Sequence, residues 1–187
     1  MDTKCRVLLI EDNPGDARLV RKDLAESATE GDFELTHAER VATGVEYLSK
    51  GDFDLVLLDM ALPDGKGPEL VSRVLAQAPT IPVIVLTGTY EDEAIATQAL
   101  QKGAQDYLIK GKIDGPGLIR AIRYAIERKR SQQAVETARK ELEEKVHQLE
   151  LLNRVMMDRE QRILELKKEV EALRAELLAK TAGSEKK

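Results

Sequence analysis

Five short apolar runs alternate with amphipathic stretches over the first two thirds of the chain. They are Val7–Ile10, Phe33–His37, Leu55–Leu58, Val83–Leu86 and Tyr107–Ile109, and each has the length of one β-strand. The runs at 55–58 and 83–86 contain no polar residue, which predicts strands that are buried on both faces. Together with the helical stretches between them, the runs predict an α/β domain with a doubly wound, five-stranded parallel sheet.

Capping signals mark the starts of several predicted helices. Asn13 is followed by Pro14, and Asp114 stands shortly before Pro116, so each pair combines an N-cap residue with a proline suited to the first turn. Thr43-x-x-Glu46 has the spacing of a capping box, which predicts a helix that begins just after residue 43.

The final helix of this domain meets no glycine or proline between residue 117 and Gly183, so we expect it to continue far beyond the domain. One apolar column then repeats every seven residues, and its members are Val135, Leu142, Leu149, Met156, Ile163, Val170 and Leu177. A heptad repeat of this length predicts a coiled coil over residues 131–180, with residues 181–187 as a flexible tail.

The core positions of this predicted coiled coil change phase along its length. Leu166 and Leu173 fill the second core position near the C-terminal end, beside β-branched residues, which favours two parallel strands. Further upstream the companion positions are Val146 and Asn153, which indicates a stammer between the two halves. The flanking charges leave the orientation of the strands open.

Composition supports the same boundary at residue 130. All six prolines, all six aromatic residues and eleven of the twelve glycines lie at or before residue 124, and residues 131–187 carry balanced charge. A pI of about 5.3 disfavours nucleic-acid binding. The early apolar runs are too short for a signal peptide or a membrane span, which predicts a cytoplasmic chain with no membrane anchor. Cys5 is the one cysteine, and we expect His37 and His147 to be solvated.

Polar residues follow four of the predicted strands at their carboxyl ends. Glu11 and Asp12 follow the first strand, Asp59 the third, Thr87 the fourth and Lys110 the fifth. These ends share one edge of a parallel sheet, where ligands bind. Three neighbouring carboxylates call for a hard cation, and Mg²⁺ fits an oxygen-only set of few ligands. With a lysine and a hydroxyl for anionic oxygens, the set predicts phosphoryl transfer to an aspartate.

The same residues lie in four segments that resemble the receiver domains of two-component response regulators, over residues 4–130. The segments are Val-Leu-Leu-Ile-Glu-Asp at 7–12, Asp59-x-x-Leu-Pro-Asp-x-x-Gly67, Leu86-Thr87-Gly88 and Gly103-Ala-x-Asp-Tyr-x-x-Lys110. The resemblance implies a flavodoxin-like receiver domain at 1–130, whose last helix continues into the coiled coil. In this family a proline with a cis bond usually follows the lysine. Gly111 stands there in this chain, and we expect a trans bond.

The resemblance also implies roles for the site residues. Asp59 would be the phosphoacceptor, Glu11 and Asp12 would help it hold Mg²⁺, and Lys110 would pair first with the aspartate and later with the phosphoryl group. A histidine kinase or a phosphotransfer protein would be the partner that donates the phosphoryl group.

Thr87 and Tyr107 would form the switch pair of such a domain. We therefore expect a phosphorylation-controlled response regulator, not an enzyme beyond self-dephosphorylation, that passes its state to a coiled-coil dimerisation or docking output. A magnesium-dependent phosphohydrolase is a weaker alternative, because such enzymes usually carry a second aspartate two residues after the first and Ala61 stands there. A scaffold or adaptor that is not phosphorylated and acts through the coil is the remaining alternative.

Overall fold

A computed structural model describes residues 4–28, 32–88 and 93–184, with side chains described as far as residue 175 except that of Glu93. The chain divides into two compact units, Met1–Ala134 and Val135–Lys187. The sequence places this boundary slightly earlier, after residue 130.

The first unit alternates strands and helices along the chain. In order, the elements are β1 (Cys5–Ile10), α1 (Pro14–Ser27), β2 (Phe33–Ala38), α2 (Val41–Lys50), β3 (Leu55–Asp59), β4 (Ala61–Leu62), β5 (Gly65–Lys66), α3 (Glu69–Gln77), β6 (Val83–Thr87), α4 (Glu93–Gln101), β7 (Asp106–Ile109) and α5 (Gly115–Ser184). All five strands predicted from the apolar runs are present, and the short β4–β5 hairpin was not predicted.

The main sheet has five strands in the order β2-β1-β3-β6-β7, and every neighbouring pair is parallel. This is the flavodoxin-like strand order, in which the chain first builds one side of β1 and then crosses to the other. The predicted doubly wound fold is therefore confirmed. The point at which the order reverses lies between β1 and β3, and sheets of this kind bind ligands at the carboxyl edge beside that point.

Helices cover both faces of the sheet because successive strand residues point to opposite sides. Leu8 and Ile10 of β1 belong to a core cluster with apolar residues of α2, α3 and α4. Val7 and Leu9 belong to a second cluster with α1 and the first turns of α5. Both faces of β3 and β6 are consequently buried, as their unbroken apolar runs predict, and residues 7–10 of β1 are buried as well.

Two of the predicted helix starts are confirmed. The Asn13 side chain accepts a hydrogen bond from the amide of Gly15 at the start of α1. The Asp114 carboxylate likewise accepts from the amide of Gly117 in the first turn of α5. These local caps satisfy amides that have no partner within the helix.

The predicted capping box of Thr43 and Glu46 is wrong. Helix α2 begins at Val41, and the residue before it provides no side-chain cap. Asp64, in the β4–β5 turn, supplies the cap instead, since its two carboxylate oxygens accept from the amides of Val41 and Ala42 at 3.0 and 2.9 Å. A contact through space thus replaces the local one, and it ties the hairpin after β3 to the start of α2.

Helix α5 continues to Ser184, so residues 181–184, which the sequence assigns to a flexible tail, are helical. Residues 185–187 lie outside the described residues, as does the side chain of Leu177. Every side chain from 135 to 175 is exposed, including the heptad positions there. In the described part of the chain, no helix is both long enough and apolar enough to cross a membrane.

Candidate functional site

The carboxyl edge of the sheet brings together the polar residues that follow the strands. Ile10 pairs with Leu58 across β1 and β3, so Glu11 and Asp59 come directly after neighbouring positions. Asp59 in turn pairs with Leu86, the residue before Thr87. The side chains of Glu11, Asp59 and Thr87 are all buried there. Buried polar groups at one edge of an otherwise apolar sheet cost stability unless hydrogen bonds or opposite charges compensate for the lost water.

Lys110 brings an ammonium group to this edge. Its ammonium nitrogen lies 2.6 Å from Oε2 of Glu11, 2.8 Å from Oδ1 of Asp59 and 3.0 Å from Oδ2 of Asp16. The lysine follows the end of β7, and its backbone amide donates to the carbonyl oxygen of Thr87 at 2.8 Å. The predicted pairing of Lys110 with the aspartate of β3 is therefore present in the fold.

The Glu11 carboxylate and the Lys110 ammonium influence each other's pKa. Burial raises the pKa of Glu11 above its ordinary value, and the hydrogen bond from Lys110 offsets part of this rise. Burial alone lowers the pKa of Lys110, but hydrogen bonds to Asp59 and Glu11 outweigh it, so the pKa lies above its ordinary value. Lys110 is therefore a cation throughout the neutral range.

Three carboxylates at this edge could hold a metal ion. Glu11, Asp12 and Asp59 each offer one oxygen, and these oxygens lie within 4.8 Å of one another. Asp12 is exposed, so one side of the cluster is open to water. Oxygen-only ligands in small number, with room for water, suit Mg²⁺, which retains part of its hydration shell.

The hairpin after β3 shapes the surroundings of Asp59. The amide of Ala61 donates to Oδ2 of Asp59 at 3.2 Å. The amide of Gly67 donates to the carbonyl oxygen of Met60 at 2.8 Å, and Gly67 has a φ of 74°, a conformation that favours glycine. The hairpin therefore closes directly beside the Asp59 carboxylate.

Thr87 and Asp59 line one cavity of about 280 Å³, together with residues of the hairpin and Ile95 of α4. The Thr87 hydroxyl donates to the carbonyl oxygen of Leu108 at 3.4 Å. Tyr107 pairs with Val85 in the neighbouring strand, two positions before Thr87, and its half-buried ring packs against the core cluster on that face. Tyr107 is not among the described residues that line this cavity.

The peptide bond between Lys110 and Gly111 is trans, as expected, because no cis bond occurs in the described part of the chain. Gly111 has a φ of 72°, which lies in the left-handed region that glycine adopts without strain. The turn after β7 therefore uses a glycine conformation at the position where the family usually has proline.

The sequence prediction missed two contacts of this site. Asp16 contacts Lys110, and the available signal was its place in the first turn of α1, just after the N-cap Asn13 and hence at the same edge as Glu11. His37 is half-buried, not solvated, and its Nε2 lies 2.7 Å from the backbone carbonyl oxygen of Glu11. Both side chains reach the site from elements next to β1.

Comparison with known proteins identifies the first unit. Residues 7–123 match the family model described as the response regulator receiver domain. A two-component response regulator of rice, ORR1, is 33% identical over 113 residues, which cover 56% of this chain and 48% of the relative. The KDP operon transcriptional regulatory protein KdpE of Escherichia coli is 39% identical over 105 residues, which cover 56% of this chain and 44% of the relative. The chain thus spans about half the length of these relatives.

A solved structure has the same fold. The signal receiver domain of an HD domain-containing protein from Pseudomonas fluorescens superposes with a TM-score of 0.61 at 25% identity, covering 70% of this chain and 93% of that one. The likeness covers most of the solved domain.

Proposed function

Because the chain belongs to the response regulator receiver domain family, we propose that it is a phosphorylation-controlled switch in which Asp59 accepts the phosphoryl group. The observation that carries this proposal is the contact of Lys110 with both Asp59 and Glu11 at the carboxyl edge of the sheet. Phosphoryl transfer to an aspartate requires a nucleophilic carboxylate, a cluster of carboxylates that can bind a metal cation, and an ammonium group held in place beside them.

The chain's own residues would act as follows. A carboxylate oxygen of Asp59 attacks the phosphorus atom of the donor, and a new O–P bond forms. The bond between phosphorus and the donor's nitrogen or oxygen breaks at the same time, and its electron pair stays on that donor atom. Lys110, which contacts the free Asp59 carboxylate, then donates hydrogen bonds to the phosphoryl oxygens instead. Thr87, which lines the same cavity, offers its hydroxyl to another of these oxygens.

Glu11, Asp12 and Asp59 would hold Mg²⁺, because their oxygens lie close enough together to bind one ion. The ion would neutralise part of the negative charge that the acceptor and the phosphoryl group bring into one place. We assign no other catalytic activity to the chain beyond hydrolysis of its own phosphoaspartate.

Thr87 and Tyr107 are our candidates for the residues that pass the phosphorylation state onward. Thr87 lies at the acceptor cavity, and Tyr107 packs against the core on the same strand face. When the Thr87 hydroxyl turns toward the phosphoryl group, its contact with the carbonyl oxygen of Leu108 is lost, and the half-buried Tyr107 ring, which packs on the same strand face, would change position in response.

The second unit would provide the output as a parallel two-stranded coiled coil. The heptad residues Ile163, Leu166 and Val170 are each more than two fifths exposed, and a second copy of the helix would cover them. A histidine kinase or a phosphotransfer protein would donate the phosphoryl group. The exposed seam also supports the alternative of an adaptor that acts through the coil without phosphorylation.

Incubation with acetyl phosphate, with and without Mg²⁺, tests the proposal. We expect the intact chain to gain the mass of one phosphoryl group only when Mg²⁺ is present, and peptide mapping to place it on Asp59. A chain that gains no mass under either condition would favour the adaptor.

A further inference from the structure

Asp16 is a third carboxylate on the Lys110 ammonium, and nothing in the proposed function explains it. Its Oδ2 lies 3.0 Å from Nζ, beside the contacts to Glu11 and Asp59 at 2.6 and 2.8 Å. A lysine ammonium carries three N–H donors, so each can be directed to one of these carboxylates. The ammonium is consequently held by three elements of the fold, since Asp16 lies on α1, Glu11 follows β1 and Asp59 ends β3.

The three partners of Lys110 differ in what else they can bind. Glu11 and Asp59 belong to the acidic cluster that could hold a cation, together with Asp12. Asp16 is not part of any such cluster among the described residues. The Asp16 carboxylate is about one third exposed, whereas those of Glu11 and Asp59 are nearly inaccessible. Of the three partners of Lys110, Asp16 is therefore the one whose oxygens lie outside the candidate cation cluster.

We propose that Asp16 is a positioning residue, whose carboxylate keeps the Lys110 ammonium at the acceptor while Glu11 and Asp59 are engaged by a cation. This inference rests on the proposed function. A divalent cation repels a neighbouring ammonium, and a carboxylate outside the cation's ligand set offsets that repulsion. The long lysine stem has many rotamers, so without Asp16 it would leave the acceptor more often.

A purely structural role for Asp16 makes different predictions. Asp16 lies in the first turn of α1, where a negative charge is favourable because of the helix dipole. That contribution does not depend on Lys110. A double-mutant cycle between Asp16 and Lys110 therefore separates the two roles, because only coupled residues give effects that do not add.

The first arm of the test measures urea unfolding without metal or phosphodonor. The variants are Asp16→Ala, Lys110→Met and the double variant, with Glu26→Ala as a control that removes an exposed carboxylate from the same helix. We expect Asp16→Ala to lower the unfolding midpoint of the parent. In the Lys110→Met background the loss should be much smaller or reversed, because only the helix-dipole contribution of Asp16 remains and Asp16 is then one of several carboxylates left without their cation. An equal loss in both backgrounds would overturn the inference.

The second arm measures the rate of phosphorylation by acetyl phosphate with Mg²⁺. We expect Asp16→Ala to be about tenfold slower than the parent, the effect of losing one hydrogen bond between charged groups. Asp16→Asn, which keeps an acceptor oxygen, should be slowed less, and Glu26→Ala should match the parent. In the Lys110→Met background, Asp16→Ala should cause no further loss.

The outcomes separate this inference from the proposed function. A parent chain that is phosphorylated, with an Asp16→Ala variant at the same rate, would overturn the inference alone. A parent chain that takes up no phosphoryl group would overturn the proposed function, and the assignment of Asp16 to that reaction would fall with it.

Discussion

The ammonium of Lys110 lies 2.6 Å from Oε2 of Glu11, a carboxylate with no exposed surface. Removing the ammonium would leave the buried charges of Glu11 and Asp59 without this countercharge, which is more costly than losing a surface ion pair. We expect Lys110→Met to lower the free energy of unfolding of the metal-free chain by about 3 kcal/mol at neutral pH. Urea unfolding monitored by circular dichroism measures this loss.

The loss should shrink in acid. Burial raises the pKa of Glu11 and Lys110 offsets part of that rise, so removal of the lysine raises the pKa further. A carboxyl group whose pKa is higher in the folded state binds protons on folding, and its cost disappears as pH falls through that pKa. The deficit of the variant should therefore be smaller at about pH 5 than at about pH 7.5. Lys22→Met, an exposed lysine on α1, serves as the control and should show little deficit at either pH. A deficit of Lys110→Met that grows in acid would contradict the account.

Asp64 caps a helix to which it is not adjacent in sequence. Its carboxylate accepts hydrogen bonds from the amides of Val41 and Ala42 at the start of α2. Replacing it with alanine leaves these amides without their partner, and we expect the free energy of unfolding to fall by about 1–2 kcal/mol. Thermal unfolding of Asp64→Ala beside the parent measures the effect.

The contribution of Asp64 should also disappear in acid. Partial burial raises the pKa of Asp64, but hydrogen bonds from the two amides outweigh it, and the pKa lies below its ordinary value. Stability from a lowered carboxyl pKa is present above the unfolded-state value and is lost as pH falls through the folded-state value. The parent and Asp64→Ala should thus differ by a constant amount near neutrality and converge in strong acid. Thr43→Ala, at the rejected capping box, should be close to neutral, and a larger loss there than at Asp64 would mean that the local cap matters after all.

The heptad seam of α5 should determine the oligomeric state. Leu166 lies on the seam and Leu164 lies off it, yet both side chains are well exposed in the single chain. A charged residue in a coiled-coil core is unfavourable, whereas the same residue on the outer face is tolerated. Light scattering should therefore give twice the chain mass for the parent and for Leu164→Lys, and a lower mass for Leu166→Lys. A parent that is monomeric at micromolar concentration would exclude the dimer.

The sequence predicted the parts of this fold that depend on local pattern. Apolar runs without polar residues mark strands buried on both faces, and a parallel sheet places their carboxyl ends along one edge. For that reason the sequence alone predicts that Glu11, Asp59 and Lys110 lie together, although they are far apart in the chain. The caps at Asn13 and Asp114 were equally accessible, because each contacts an amide within three residues.

The contacts that escaped prediction are those made across the fold. Asp64 reaches α2 from 22 and 23 positions away, and no local spacing rule contains such a contact. The capping-box pattern at Thr43 predicted the wrong helix start, because α2 begins before that residue. The contact of Asp16 could not be predicted for a related reason. The helix dipole already explains an acidic residue in the first turn of a helix, and only the position of Lys110 in the fold shows the second contact.

The central claim is that Asp59 accepts the phosphoryl group, and the most direct test compares Asp59→Asn with the parent in acetyl phosphate and Mg²⁺. The variant lacks the nucleophilic carboxylate, so intact-mass spectrometry should show one phosphoryl group on the parent and none on the variant. Asp52→Asn removes a carboxylate that is almost fully exposed, and it should gain mass as the parent does. Equal mass gain in the parent and in Asp59→Asn would contradict the account.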